Sequence, residues 1–392
     1  MLVLIGGTTI LALNMGVRQS LGLFIPEMMA DLGMSLGTFS LALALQNLIW
    51  GLLAPATGAI ADRFGTAKTL IAGSMLYVLG LALMAFSTEP WMLHGSAGLL
   101  VGMGVSATTF AVVLGAVGRC FPERRRTLAL GVASSGGSLG QFIMAPVSQG
   151  LIDGFGWAVA LLIIALIAGL MIPASAVLAG RAEARSTQGN LKSALHEAIH
   201  HRGYRLLFFG FFVCGFHVAF ISVHLPNFVA ICGLPATVAS SSLAIIGLFN
   251  IGGTIIAGAL GDRYRKSWLL SAIYASRAIL ILVFMLAPKT PDAFFVFSAV
   301  MGVLWLSTVP LTSGIVAHLF GPRYMATLFG LVMLSHQLGA FLGAWIGGVV
   351  FDATGNYDLV WLLGAALGFI AAVLHLPIRE DQIRSDPQTL AS

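Results

Sequence analysis

Long apolar runs, bounded by charged residues, Gly or Pro, dominate the pattern of hydrophobic and polar positions along the chain. A helix that crosses the hydrocarbon core of a bilayer needs roughly 20 apolar residues. The chain contains twelve runs of about this length, and each predicts a membrane-spanning α-helix. The predicted spans are 2–29, 37–61, 68–87, 91–118, 127–152, 156–180, 204–231, 238–261, 268–288, 292–319, 326–350 and 357–377. The pattern therefore predicts an all-α membrane protein.

One long polar stretch, which begins at Arg181, divides the twelve runs into two sets of six. We expect four parts along the chain. They are an N-terminal six-helix bundle at 1–180, a cytoplasmic central loop at 181–203, a C-terminal six-helix bundle at 204–378 and a cytoplasmic tail at 379–392. The first apolar run carries no basic segment before it and no small-residue cleavage site, so we interpret it as a membrane helix rather than a signal peptide.

Composition agrees with membrane residence and excludes several classes of protein. Hydrophobic residues make up 58% of the chain and charged residues 9%. Soluble domains carry about 25% charged residues, so this chain cannot cover a water-exposed surface. A secreted domain, a nucleic-acid binder and most soluble enzymes are thereby excluded. The three cysteines, Cys120, Cys214 and Cys232, show no CxxC spacing, which leaves neither a disulfide framework nor a metal cage to propose.

The basic residues lie almost entirely on one side of the predicted membrane. Seventeen of the 20 lysines and arginines fall in the even-numbered loops or the tail, whereas Lys289 alone falls on the other side. Because cytoplasmic loops carry the excess of Lys and Arg, both termini are predicted to be cytoplasmic. We expect a multi-pass protein of the plasma membrane, in bacteria the cell inner membrane. On this interpretation, the net charge of +5 is a consequence of the membrane topology, and it favours contact with anionic lipid headgroups.

An internal repeat relates the two halves. Residues 58–64 read GAIADRF and residues 258–264 read GALGDRY, at an offset of 200. Pro26 and Pro226 repeat at the same offset. At an offset of 199, six residues of the first half recur, among them Gly140 as Gly339 and Asp153 as Asp352. The halves have the same predicted orientation and are therefore parallel repeats about an axis along the membrane normal.

With these residues the chain resembles the major facilitator superfamily over essentially its whole length. The loop signature of that superfamily is matched by Gly58, Asp62, Arg63, Gly65 and Lys68, and its second copy by Gly258, Asp262 and Arg263. The resemblance implies twelve helices in two pseudo-symmetric six-helix bundles. It also implies a conformational latch, formed by Asp62, Arg63, Asp262 and Arg263, that opens and closes during transport. Capping of the local helix ends is the alternative interpretation of the two aspartates.

A narrower resemblance is to the monocarboxylate and oxalate/formate transporter branch. It rests on small residues in the fifth predicted span, on the run His336-Gln337-Leu338-Gly339, and on Asp352, Gly355 and Tyr357. The chain departs from related patterns in two places. Gly98 stands where many proton-coupled members carry an arginine, and the eighth span has no charged residue and offers only Asn250.

Two arginines, Arg18 and Arg277, lie within predicted membrane helices. Each costs about 2.5–3.5 kcal/mol to place at a helix centre, so such residues usually persist because they form a site. Asn14 lies one turn before Arg18 on the same helix face. No Asp or Glu lies deep in any span, so the protein supplies neither arginine with a carboxylate partner. A carboxylate on the substrate would supply one through charge-assisted hydrogen bonds.

We predict a substrate site composed of Asn14, Arg18, His217, Asn250, Arg277, His336 and Gln337. Arg18 would pair with the carboxylate, and Arg277 or His217 would assist. His336 is the candidate proton carrier because imidazole titrates near neutral pH. Each assignment has a structural alternative: Arg18 as a packing residue, Arg277 with Tyr274 as a local partner, and the histidines as interhelical hydrogen-bonding groups. Asn250 and Gln337 fit a structural role at least as well.

The predicted function is secondary active transport of a small organic anion, monocarboxylate-like, by alternating access, with proton coupling or exchange left open. Expected partners are the anion, protons and membrane lipids; the expected functional unit is a monomer, with no cofactor, metal or nucleic acid. Export of a neutral or amphipathic compound, and a channel, are alternatives. An intramembrane metalloprotease is a third, because His196-Glu197-Ala198-Ile199-His200 matches HExxH, although this motif lies in the polar central loop.

Overall fold

The computed structural model of the protein describes residues 2–120, 123–178, 191–320 and 325–380. Every regular element within these ranges is helical. Eleven helical stretches of the described chain are long and apolar enough to cross a membrane. The Gly131–Ala176 stretch has 46 residues, and at 1.5 Å per residue its length of about 69 Å is roughly twice the hydrocarbon thickness. Gly156, with φ of 76°, breaks this stretch into two spans, because only glycine adopts that conformation readily.

With that division there are twelve spans, and the predicted all-α membrane fold is confirmed. We label them in chain order: α1 Leu2–Leu32, α2 Leu36–Phe64, α3 Thr66–Met84, α4 Pro90–Cys120, α5 and α6 on either side of Gly156 within Glu123–Ala176, α7 Arg202–Ile231, α8 Ala236–Gly261, α9 Lys266–Leu286, α10 Pro291–Phe320, α11 Met325–Thr354 and α12 Asp358–His375.

Three local features differ from the sequence prediction. Span α4 is not continuous, because Thr109 adopts extended backbone with φ of −94° and ψ of −170° after the helix Val101–Thr108. Span α10 is interrupted in the corresponding turn of the second half, between the helices Pro291–Leu304 and Thr308–Phe320. Part of the predicted central loop forms a ten-residue helix, Leu191–His200, which we call the connector helix.

Glycines let helices cross closely at repeated positions in the two halves. A Cβ atom at Gly140 in α5 would overlap the carbonyl oxygen of Ala12 in α1. At the equivalent position of the second half, a Cβ at Gly339 in α11 would overlap the carbonyl oxygen of Phe212 in α7. The pseudo-symmetry of the sequence is therefore repeated in the packing, since both crossings need a residue without a side chain.

The two halves contact each other along α2 with α11 and along α5 with α8. Gly51 of α2 lies against the side chain of Gln337 in α11. Gly58, seven residues after Gly51, and Gly330, seven residues before Gln337, lie on the same faces, and no atom of the described chain lies within 4 Å of an added Cβ at either glycine. Faces that contact at one level are therefore separated two turns away.

The second pair of interface helices separates in the same direction. Gly247 of α8 packs on the backbone of Ser138 and Phe142 in α5. Gly131, before this contact on α5, and Gly258, after it on α8, have no described atom within 4 Å of an added Cβ. The halves are thus in contact at the end that carries the turns at 33–35, 232–235 and 355–357, which we call the closed end. At the other end, which we call the open end, the described parts of these interface helices diverge.

Candidate functional site

Arg18 lies near the middle of α1, where the contact between the halves gives way to the open end. Its Nη1 donates to Oδ1 of Asn47 in α2 at 3.1 Å, and its guanidinium carbon lies 5.0 Å from the ring centre of Trp50. The Asn47 amide is fixed in turn, because its Nδ2 donates to the carbonyl of Leu43 at 2.8 Å. The side chain is partly exposed, and its Nε is buried without a partner. Among the described residues no carboxylate pairs with Arg18, so the cation retains donors for a ligand.

Asn14, one turn before Arg18, is held by neighbouring spans. Its Nδ2 donates to Oγ1 of Thr108 at the end of the first segment of α4, and its carbonyl accepts from the Tyr77 hydroxyl at 3.0 Å. Oδ1 of Asn14 is buried and has no partner. The residue therefore supports the break in α4 and presents one free acceptor on the face that carries Arg18.

Arg277 is fully buried within the C-terminal half, and its donors are already occupied. Nε donates to the carbonyl of Leu304 at 3.2 Å, and Nη2 donates to the carbonyls of Leu304 and Trp305. These carbonyls end the first segment of α10 and have lost their helical partners, and a cation is favourable at a helix C-terminus. The expectation that Arg277 assists at the substrate carboxylate stays a prediction, and in this structure the carbonyls at the break in α10 take up these hydrogen bonds. Its contact with the Tyr274 ring, at 5.5 Å, agrees with the structural alternative.

Asn250 supports the same break from the other side. Its Oδ1 accepts from the backbone N–H of Leu306 at 3.0 Å and from the hydroxyl of Thr254 at 3.2 Å, and its Nδ2 donates to the Ser138 hydroxyl at 2.9 Å. Since both ends of the amide are engaged, Asn250 joins α8, α10 and α5 rather than facing a ligand. These contacts agree with the structural alternative for Asn250, and its place in the substrate site stays a prediction.

The polar groups beside the two breaks repeat at an offset of 200. In the first half, Asn14 contacts Thr108 and receives a hydrogen bond from Tyr77. In the second half the equivalent residues are Cys214, Thr308 and Arg277. The Cys214 sulfur lies 3.2 Å from the Thr308 hydroxyl and accepts from Nη1 of Arg277 at 3.6 Å. Sequence reasoning missed these matched clusters, although applying the offset of 200 to every polar residue within the spans would have revealed them.

His217 lies between α7 and α12. Its Nε2 pairs with the carbonyl of Gly364 at 2.7 Å, and its ring packs on Gly364 and Gly368. Arg18 is not among its contacts in the described part of the chain. The expectation that His217 faces Arg18 stays a prediction: in this structure its Nε2 pairs between helices, whereas its Nδ1 is buried without a partner.

His336 and Gln337 retain unsatisfied polar atoms. Nδ1 of His336 is buried without a partner, and its ring lies 5.0 Å from that of Phe211 and next to Cys214. Both amide atoms of Gln337 are buried and unpaired, and the side chain lies against Gly51, one turn from the asparagine that holds Arg18. Because an unsatisfied buried polar group costs about 1–3 kcal/mol, these atoms are where water or a ligand is expected.

Trp50 is a neighbour of Arg18 that sequence reasoning missed. It is 8% exposed and covers one side of the guanidinium. The available signal was its position three residues after Asn47, which puts both side chains on neighbouring turns of one helix face.

The predicted latch is described only in part. Asp262 and Arg263 lie exposed in the turn that follows α8, at the open end. The side chains of Asp62 and Arg63 lie outside the described part of the structure. The latch consequently stays a prediction.

The HExxH motif lies on the connector helix, where His196 and His200 are exposed. Nδ1 of His200 pairs with the carbonyl of His196 within the same helix at 2.7 Å. Within the described ranges, no group of three or more His, Cys, Asp or Glu side chains is arranged to hold a metal ion. The motif thus lies outside the membrane spans, whereas an intramembrane metalloprotease would need it inside one.

The protein has twelve spans in two repeated halves, which are joined at one end and separated at the other in the described chain. A cation lies on an interior face. This architecture defines a membrane transporter. The sequence profile of the Major Facilitator Superfamily matches residues 7–340 and 207–389. The chain therefore belongs to the major facilitator superfamily, whose members are generally not enzymes.

Relatives with assigned names cover most of the chain. It is 28% identical over 373 residues to human monocarboxylate transporter 11, an alignment that covers 91% of this chain and 78% of that protein. It is 26% identical to bovine monocarboxylate transporter 13, with 91% and 83% covered. It is also 22% identical to the Bacillus subtilis uncharacterized MFS-type transporter YcxA, with 94% and 93% covered.

Proposed function

We propose that the protein transports small organic anions of the monocarboxylate type, with Arg18 as the group that pairs with the carboxylate. The observation that carries this proposal is the state of Arg18: a partly exposed guanidinium on an interior face, with a free Nε and no carboxylate partner in the described chain. Two relatives named monocarboxylate transporters agree with an anionic substrate.

The surroundings of Arg18 favour a planar anionic group such as a carboxylate. Asn47 and Trp50 hold the guanidinium on one edge and one face, which leaves its other donors to form charge-assisted hydrogen bonds with a carboxylate. In a site of low dielectric constant, that pairing also offsets the cost of burying the cation. The free Oδ1 of Asn14 and the free amide of Gln337 provide polar positions beside it for the rest of the substrate.

His336 is the group we propose for proton coupling. Its Nδ1 has no partner, and it immediately precedes Gln337 on α11. A proton carried by this imidazole would neutralise the charge that an anion brings across the membrane. Exchange of one anion for another, without a proton, is the second mode of coupling compatible with the same site.

Uptake into proteoliposomes tests the role of Arg18. We expect Arg18→Gln to lower kcat/KM for lactate or pyruvate by at least about tenfold, since a hydrogen bond to a charged group contributes about 1.5–3 kcal/mol. Arg18→Lys should recover part of the loss by keeping the charge. The matched control is Arg265→Gln, which removes another arginine stacked on a tryptophan, Trp268 at 4.8 Å, but outside the site.

Two results would oppose this proposal. Unchanged uptake of every monocarboxylate by Arg18→Gln would exclude Arg18 as the anion ligand. Equal uptake of lactate and its uncharged amide by the parent protein would favour transport of neutral compounds instead.

A further inference from the structure

Asp352 ends α11 at the closed end and reaches across to the other half of the protein. Its Oδ1 accepts from the backbone N–H of Leu36 at 3.1 Å, and its Oδ2 accepts from that of Gly37 at 2.7 Å. Both N–H groups belong to the first turn of α2. A carboxylate of the C-terminal half is thus hydrogen-bonded to the start of a helix in the N-terminal half.

This contact completes the capping of α2. The first N–H groups of a helix lack partners within the helix and attract negative charge. In α2 the N–H groups of Leu36 and Gly37 bond to Asp352, and the N–H group of Thr38 bonds to the Ser35 side chain at 3.3 Å. Gly37 leaves room for the carboxylate, because a Cβ there would lie 2.6 Å from Oδ2. The cap is consequently complete only while the two halves are together at this end.

A buried network holds the end of α11 that presents Asp352. The Tyr357 hydroxyl accepts from Nδ2 of Asn227 at 2.9 Å and donates to Nδ1 of His224 at 3.2 Å. Nε2 of the same histidine then donates to the carbonyl of Ala344 at 2.7 Å. The network connects α7, α11 and the turn before α12, so the position of Asp352 is set by its own half.

The repeat-related residue makes no such contact. Asp153 occupies the equivalent position of the first half, at an offset of 199, and accepts from Nε2 of Gln149 in its own helix at 2.7 Å. The start of α8, the helix equivalent to α2, has Pro235 as its N-cap and no side-chain cap. Only one of the two equivalent corners is bridged in this way within the described chain.

We propose that Asp352 is a positioning residue for transport: by capping α2 across the interface, it stabilises the state that is shut at this end and must release the cap when this end opens. The carboxylate acts on the conformational equilibrium and does not contact the substrate. Its loss should therefore shift that equilibrium toward opening while leaving the substrate site intact.

Thiol labelling tests this without any substrate. A reporter, Ser40→Cys, sits in the contact between α2 and α11, where the Ser40 side chain is fully buried beside Gly348. The background is Cys120→Ser and Cys232→Ser, which leaves only the buried Cys214. In nanodiscs, we expect Asp352→Asn to raise the rate of maleimide labelling about three- to tenfold, the range of a helix cap. Asp153→Asn is the matched control and should label at the parental rate.

Equal labelling rates in the parent and in Asp352→Asn would overturn the proposal, as would an equal increase in Asp153→Asn. If Asp352→Asn fails to fold, Gly37→Ala gives the same test, because its methyl group would displace the carboxylate and leave α11 unchanged. Because the labelling measurement requires no transport, a result that overturns the proposal for Asp352 would leave the proposed role of Arg18 unaffected.

Discussion

Arg18 and Arg277 illustrate how the same side chain serves different ends in one membrane protein. Both carry a charge that is costly in a membrane helix. Arg277 offsets this cost with backbone carbonyls released by a break in α10, and all of its surroundings are protein. Arg18 has one amide and one ring as partners and keeps a free donor. Hydrogen-bonding capacity that remains unused therefore distinguishes the residue available to a ligand.

A titratable residue outside the membrane gives a prediction at the same scale. His201 is the N-cap of α7, and its neutral Nδ1 accepts from the N–H of Tyr204 at 3.3 Å. Partial burial lowers the pKa of His201 from 6.5, and nearby Glu197 only partly opposes this. Because the folded pKa is lowered, the cap contributes above pH 6.5 and is lost as the pH falls through the lowered pKa.

Hydrogen exchange at the start of α7, corrected for intrinsic rates, should therefore increase as the pH is lowered from neutral toward the lowered pKa of His201. His201→Asn, a good N-cap that does not titrate, should remove this pH dependence. Retention of the dependence in the variant would mean that another group controls the helix end.

The breaks in α4 and α10 are the elements that organise the centre of each half. Thr108 and Thr308 lie beside these breaks at equivalent positions. Thr108 accepts from Asn14 of α1, and Thr308 contacts Cys214 of α7, which is the equivalent of Asn14 at an offset of 200. Breaks expose backbone groups that need partners in a membrane. In α10 these partners are Arg277 and Asn250, which explains why polar residues with a structural role lie deep in the bundle.

Replacing Arg277 tests this explanation. We expect Arg277→Gln to destabilise the protein by about 1–3 kcal/mol, because carbonyls at the break lose their donors. Thermal unfolding of the purified protein should show a lower Tm, whereas KM for a transported anion should rise far less than in Arg18→Gln. A parental Tm combined with a large rise in KM would instead return Arg277 to the substrate site.

At the scale of the whole molecule, the halves are joined at the end that carries the turns at 33–35 and 355–357. Within the described chain, the interface helices diverge toward the end that carries the second Asp-Arg signature, where Asp262 and Arg263 are exposed. If the basic loops are cytoplasmic, as the charge distribution predicts, the open end faces the cytoplasm and the closed end faces outward.

Tag accessibility tests this orientation. A peptide tag at the C-terminus should be unreachable by antibody in intact cells and reachable after permeabilisation, because both termini are predicted to be cytoplasmic. A tag in the turn at 85–89, between α3 and α4, should be reachable without permeabilisation. The reverse pattern would contradict the predicted topology and invert the assignment of the two ends.

The sequence by itself determined the number of spans, the twofold repeat and the superfamily, because apolar run length and a repeated signature do not depend on tertiary contacts. It also singled out Arg18, since a charge within an apolar helix is visible without a structure. The bridge from Asp352 to α2 could not be predicted, because it joins residues more than 300 positions apart. The surroundings of Arg277 and Asn250 also needed the tertiary structure, because the break in α10 decides which backbone groups near them lack partners. For His217 only the tertiary structure could place the carbonyl of Gly364 in α12 beside its ring.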